Sequence, residues 1–108
     1  MSRHDGLTRM TRIEVVVGAS DAPAVTDLLT GGGAIGYTVL PVVGGLGHHG
    51  EHQGRLHFND RDGLRMILTV VADGRADALV AAVRSLLSDR HGVLFVSDTW
   101  VSRPEYFT

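Results

Sequence analysis

Four β-rich apolar runs, the first strictly alternating, separated by two stretches with helical spacing, constrain this chain more than any other feature. In Arg12-Ile-Glu-Val-Val-Val17, residues Ile13, Val15 and Val17 alternate with Arg12, Glu14 and Val16. Side chains on a strand point to opposite faces in turn, so this pattern predicts a strand with one buried face. Ser20 or Asp21 is placed to cap a helix with Pro23 in its first turn, where a missing N–H costs least. Val25, Leu28 and Leu29 give that helix its buried stripe, and Gly31-Gly-Gly33 ends it. Tyr37 to Val43 is rich in β-formers, and Pro41 predicts an edge strand or a bulge. Arg65 to Val71 is the third run. Asp73 is placed to cap a second helix with Leu79, Val83, Leu86 and Leu87 on one face, and Val93 to Val96 begins a last strand that continues raggedly to Trp100 and Val101.

The order β-α-β-β-α-β predicts an α+β, ferredoxin-like domain, a four-stranded antiparallel sheet with both helices on one face. Two helices leave the second face uncovered. Val16, Ile67, Thr69 and Val71, or their partners, would make it apolar, which predicts association with further copies of the same chain.

Composition narrows the chemistry. A length of 108 residues is one domain, 1–108, with 1–10 expected to be a flexible lead-in. Without cysteine there is no disulfide scaffold, thiolate metal site or thiol catalysis. A formal charge of −2 argues against a nucleic-acid binder, which would carry a basic face. All ten cations are Arg, so any anion site must use Arg, His or backbone N–H groups. No apolar run approaches the roughly 18 residues a membrane span needs, and the start of the chain lacks the apolar stretch of a signal peptide. The expected setting is soluble and cytoplasmic.

Nine of the fourteen Gly lie between Gly31 and Gly54, and three of the six His between His48 and His52. From Gly44 to Gly63 no period survives, although a tight turn would suffice to join the two strands. Such a length points to a functional loop. Its glycines could present consecutive N–H groups to an anion, but it has neither a Gly-Lys-Ser/Thr phosphate loop nor the dinucleotide fingerprint. His48, His49 and His52, with Glu51, could ligate zinc, copper or nickel, or could simply be solvated or touch an anionic ligand. After the second helix, Arg90, His91 and the Gly92 backbone could together hold phosphate oxygens, and Arg103 is a further cation near the chain end. The serines lack a nucleophile-elbow motif, so nothing points to a catalytic triad.

Taken together, these pieces resemble the PII signal-transduction family. The likeness runs from Thr11 to Arg103 and rests on Arg12-Ile-Glu-Val15, Gly36-Tyr-Thr-Val39, Val42-Val-Gly-Gly-Leu-Gly47, Val70-Val-Ala-Asp73 and Gly92-Val-Leu-Phe-Val-Ser97. The resemblance implies a homotrimer with adenine nucleotides bound in the clefts between subunits. The stretch 44–63 would be the mobile signalling loop of that family, its T-loop. By position, Gly36 and Thr38 would lie near the base, Gly44 and Gly47 at the start of the loop, and Arg90, His91, Gly92 and Arg103 around the phosphates.

The departures from the family pattern are specific. No Tyr lies between Gly44 and Gly63, so the regulatory tyrosine modification has no acceptor there. The turn after the second helix reads Arg90-His-Gly-Val93 instead of Gly-Asp-Gly-Lys, Leu64 stands where a lysine is usual, and His48 and His49 stand near the loop glutamine that helps hold Mg-ATP and 2-oxoglutarate. The Gly47-His-His-Gly50 loop and the Tyr37-Thr38 strand look more like the bicarbonate-linked members, which bind ADP or AMP with bicarbonate. Gly45 and Arg55 are the residues expected to meet that anion. The implied partner is a membrane transporter or a carboxysome component. The alternatives are a His-loop metal sensor and slow hydrolysis of the bound nucleotide.

Overall fold

The protein is described by a computed structural model over residues 4–47, 50–53 and 63–108. The elements run β1 (Thr8–Gly18), a 3-10 turn (Ala19–Asp21), α1 (Ala22–Gly31), β2 (Thr38–Val42), β3 (Gly44–Gly47), β4 (Gly50–Gln53), β5 (Leu64–Val71), α2 (Asp73–Leu87), β6 (Gly92–Val101) and a 3-10 turn (Pro104–Phe107). β2, β5, β1 and β6 form one antiparallel sheet in that order, and β3 pairs with β4 as a separate ribbon. The expected βαββαβ domain is therefore present, with a hairpin added between its second and third main strands.

β1 is an inner strand, paired with β5 on one side and β6 on the other. Ile13, Val15 and Val17 are buried, and they lie opposite Thr69, Ile67 and Arg65 of β5. The core closes with Val25 and Leu29 of α1 and Leu79 and Val83 of α2. Each fully buried aliphatic side chain of this kind contributes about 1.5–3 kcal/mol. Leu28, Leu86 and Leu87 pack against the core while staying partly exposed. Pro41 lies in β2, an outermost strand, where a residue without an N–H breaks no ladder on its open side.

The register settles which residues face away from the helices. Ile67, Thr69 and Val71 point inward, contrary to the expectation that they line the open face. That face carries their strand neighbours Met66, Leu68 and Val70, together with Val16, Leu40, Val93 and Phe95. Leu40, Val93 and Phe95 are each exposed. β1 also starts before Arg12 and takes in Thr8 to Met10, which pair with Val101 to Thr99 of β6. β6 is one continuous strand of ten residues rather than a ragged one, because β1 supplies partners along all of it.

Two expected caps take other partners. Asp21 occupies the N-cap position of α1 and Asp73 the first turn of α2, which Ala72 caps, yet neither helix start has a side-chain cap bond. Both carboxylates are engaged elsewhere, as described below. Gly33 does what the triple glycine predicts, turning the chain with φ 98° beneath the Arg75 side chain. No helix among the described residues is long and apolar enough to cross a membrane.

Candidate functional site

The ends of the sheet differ chemically, and the predicted site residues divide between them. At one end β1 finishes at Gly18, which pairs with Leu64, and Leu64 in turn pairs with Val42. The long loop leaves and returns here. The Ala19 N–H donates to the Gly63 carbonyl at 2.7 Å, tying the end of the loop to the turn after β1. Gly92 opens β6 opposite Val17. A Cβ at Gly92 would lie 2.9 Å from both Val17 Cγ1 and Leu87 Cδ2, so the backbone approaches the core here as only glycine allows.

Arg90 sits in the turn between α2 and β6, brought against the turn that follows β1. Its Nη1 donates to the Leu86 carbonyl at 2.7 Å and to Asp89 Oδ1 at 3.3 Å, and its Nε donates to Asp21 Oδ1 at 3.3 Å. Arg90, His91 and Gly92 are therefore brought together beside the loop end, and His91 is exposed. Gly44 also lies at this end, pairing with Gln53, while Gly45 pairs with His52 and Gly47 with Gly50. The beginning of the unpatterned stretch thus pairs with itself as a hairpin. His48, His49 and Arg55 fall outside the described residues. Among the described residues no cluster of three or more His, Cys, Asp or Glu could hold a metal.

Gly36 and Thr38 lie along the β2 edge. The buried Thr69 hydroxyl donates to the Gly36 carbonyl at 2.6 Å, which anchors the segment leading into β2. Thr38 is exposed opposite Leu68. Four strand steps separate Thr38 from Val42, so these residues lie roughly 13 Å down the edge from the loop.

Arg103 is placed differently. It follows β6, whose ten residues span on the order of 30 Å from Gly92 to Val101. One chain therefore holds Arg90 and Arg103 at opposite ends of the same strand. Arg103 donates from Nη1 to the Tyr106 hydroxyl at 2.9 Å, and its guanidinium carbon lies 5.6 Å from the Tyr106 ring centroid.

The Arg103 end of the sheet also contains a network with no signal in the sequence reading. Arg9 of β1 donates to Asp73 of α2 and, at 2.7 Å, to Asp98 of β6. The Thr11 hydroxyl donates to the other Asp73 oxygen at 2.7 Å. These groups line a groove of about 720 Å³, floored by Val80 and Val96. Its carboxylates Asp73, Asp77 and Asp98 outnumber the one Arg9, so the groove repels polyphosphate rather than binding it.

The profile of the family described as Nitrogen regulatory protein P-II matches residues 10–106. The chain belongs to the P-II family. Among solved P-II relatives, CPII from Thiomonas intermedia K12, a nitrogen regulatory PII-like protein bound to ADP, AMP and bicarbonate, is 33% identical, with a TM-score of 0.84 over 94% of this chain and 95% of that one. A second CPII structure, bound to ADP and bicarbonate, is 30% identical, with a TM-score of 0.81 over 94% and 97% of the two chains. The GlnK–ATP complex of B. subtilis shares the P-II fold at 19% identity, with a TM-score of 0.60 over 92% of this chain and 85% of that one. No curated protein matches the chain.

Proposed function

We propose that this P-II protein is a homotrimeric regulator that binds an adenine nucleotide in each cleft between copies. The observation that carries the reading is the division of cations between the two ends of β6. Arg90 and Arg103, which the family resemblance assigns to one phosphate site, are held on the order of 30 Å apart in a single chain. A second copy, packed with its Arg103 end beside the Arg90 end of the first, supplies the missing half. The uncovered sheet face, with Leu40, Val93 and Phe95 exposed beside the Arg12–Glu14 pair, gives such packing an apolar driving force.

The binding chemistry follows from the residues. A polyphosphate entering this site exchanges its hydration for backbone N–H groups of Gly44, Gly47 and Gly92 and for the guanidinium forks of Arg90 and Arg103. Gly36 and Thr38 on the β2 edge take the base. The likeness to CPII, solved with ADP, AMP and bicarbonate, supports ADP or AMP with bicarbonate as the ligand set, ATP being the third candidate. Bicarbonate, a small planar anion, suits the Gly45 backbone and Arg55.

Signalling runs through the loop 44–63, whose ordered and released states present different surfaces to a partner in the cytoplasm, a membrane transporter or a carboxysome component. The ligand acts on the loop only as far as it binds the two states with different affinity. The protein is a regulator rather than an enzyme. Titration calorimetry with ADP, AMP and ATP, each with and without bicarbonate, tests the reading. Binding of at least one nucleotide, tightened by bicarbonate, is the expected result, and no heat with any nucleotide at millimolar concentration contradicts it.

A further inference from the structure

The acidic partners of Arg90 point to a role for a residue outside the predicted site. The Arg90 and Asp21 side chains are 34% and 33% exposed and meet at 3.3 Å, the long end of the hydrogen-bond range. Asp89 adds a second carboxylate at the same distance. The guanidinium is thus already surrounded by acceptors, and two negative charges face any incoming phosphate. We propose that Asp21 is a positioning residue of the phosphate site, holding Arg90 in the free protein and yielding it to the nucleotide. This rests on the nucleotide-binding reading above.

Asp21 closes the 3-10 turn Ala19–Asp21 and enters α1 with helical backbone angles (φ −93°, ψ −12°) and no cap bond. Side-chain capping takes an extended residue, so the Asp21 carboxylate is directed to Arg90 rather than to the start of its own helix. A phosphate offers Arg90 a charge-assisted, bidentate contact in place of one long ion pair. Nucleotide affinity is then set by a competition inside the protein, and Asp21 lowers it.

Asp21→Asn is the test variant, because Asn keeps the size of the side chain and removes only the charge. Calorimetry with ADP is run on the wild type, Asp21→Asn, Arg90→Ala and the double variant. Asp21→Asn should bind ADP about two- to fivefold more tightly, the range of a partly exposed ion pair. Arg90→Ala should bind more weakly, and the double variant should match Arg90→Ala. A gain that persists in the double variant would mean a general charge effect and would overturn the proposal. So would an unchanged or weaker Asp21→Asn, or an Arg90→Ala protein that binds like the wild type, although nucleotide binding itself would still stand. A wild type silent toward ADP overturns the nucleotide reading and this proposal together.

Discussion

Each end of the sheet has one arginine set between two aspartates, yet the two arrangements do opposite work. Arg9 makes short contacts to Asp73 and Asp98, and the Thr11 hydroxyl completes Asp73. That network joins β1, α2 and β6. Arg90 meets Asp21 and Asp89 only at 3.3 Å and sits in a turn beside the loop end. Similar side chains thus form a close cross-link in one place and, on the proposed reading, an exchangeable contact in the other. The length of the arginine–carboxylate contacts separates the two. Residue type alone does not.

Mutations at the two ends should split affinity from stability. Arg90→Ala should have the largest effect on binding, a loss of tenfold or more in ADP affinity, since a hydrogen bond to a charged group contributes about 1.5–3 kcal/mol. Its urea midpoint should hardly move, because partly exposed ion pairs contribute about 0–1 kcal/mol. Asp73→Ala should do the reverse. It strips the partly buried Thr11 hydroxyl of its acceptor and should lower stability by about 1–2 kcal/mol in urea denaturation, with ADP affinity unchanged. Arg9→Ala should have the smallest effect. Arg9 and Asp73 are each 47% exposed, so the loss should stay within about 1 kcal/mol and shrink in high salt. Were Asp73→Ala to weaken ADP binding as strongly as Arg90→Ala, the contrast between the ends would collapse.

Much of the fold was legible in the sequence because it is written in local patterns. The alternation of Ile13, Val15 and Val17 marked the central strand, Pro41 marked an edge, and the glycines after Leu29 marked a helix end. The two-residue period could not say which face of the third run points inward. Arg65 to Val71 is apolar at almost every position, and only its pairing with β1 turns Ile67, Thr69 and Val71 toward the helices. The cap expectations erred for a related reason. Asp21 stands at an N-cap position and Asp73 one residue past one, but their partners Arg90, Arg9 and Thr11 come from 62 to 69 positions away, beyond any local rule.

The candidate site was legible as a set of residue types and not as a place. Arg90, His91 and Gly92 are contiguous, and the structure keeps them beside the loop end. Arg103 belongs with them only through the family resemblance, and within one chain the length of β6 keeps it apart. On the proposed reading, that separation makes the copy number of the protein part of its chemistry.

The most direct test of a site built from two copies is complementation between Arg90→Ala and Arg103→Ala proteins. Each variant alone should bind ADP weakly in calorimetry. After unfolding and refolding the two together in equal amounts, with mixed assemblies confirmed by native mass spectrometry, about a quarter of the interfaces should join an intact Arg90 to an intact Arg103. The account predicts that tight ADP binding returns in about that fraction of sites. Mixed trimers in which no tight site returns would contradict it, because each chain would then need both arginines of its own.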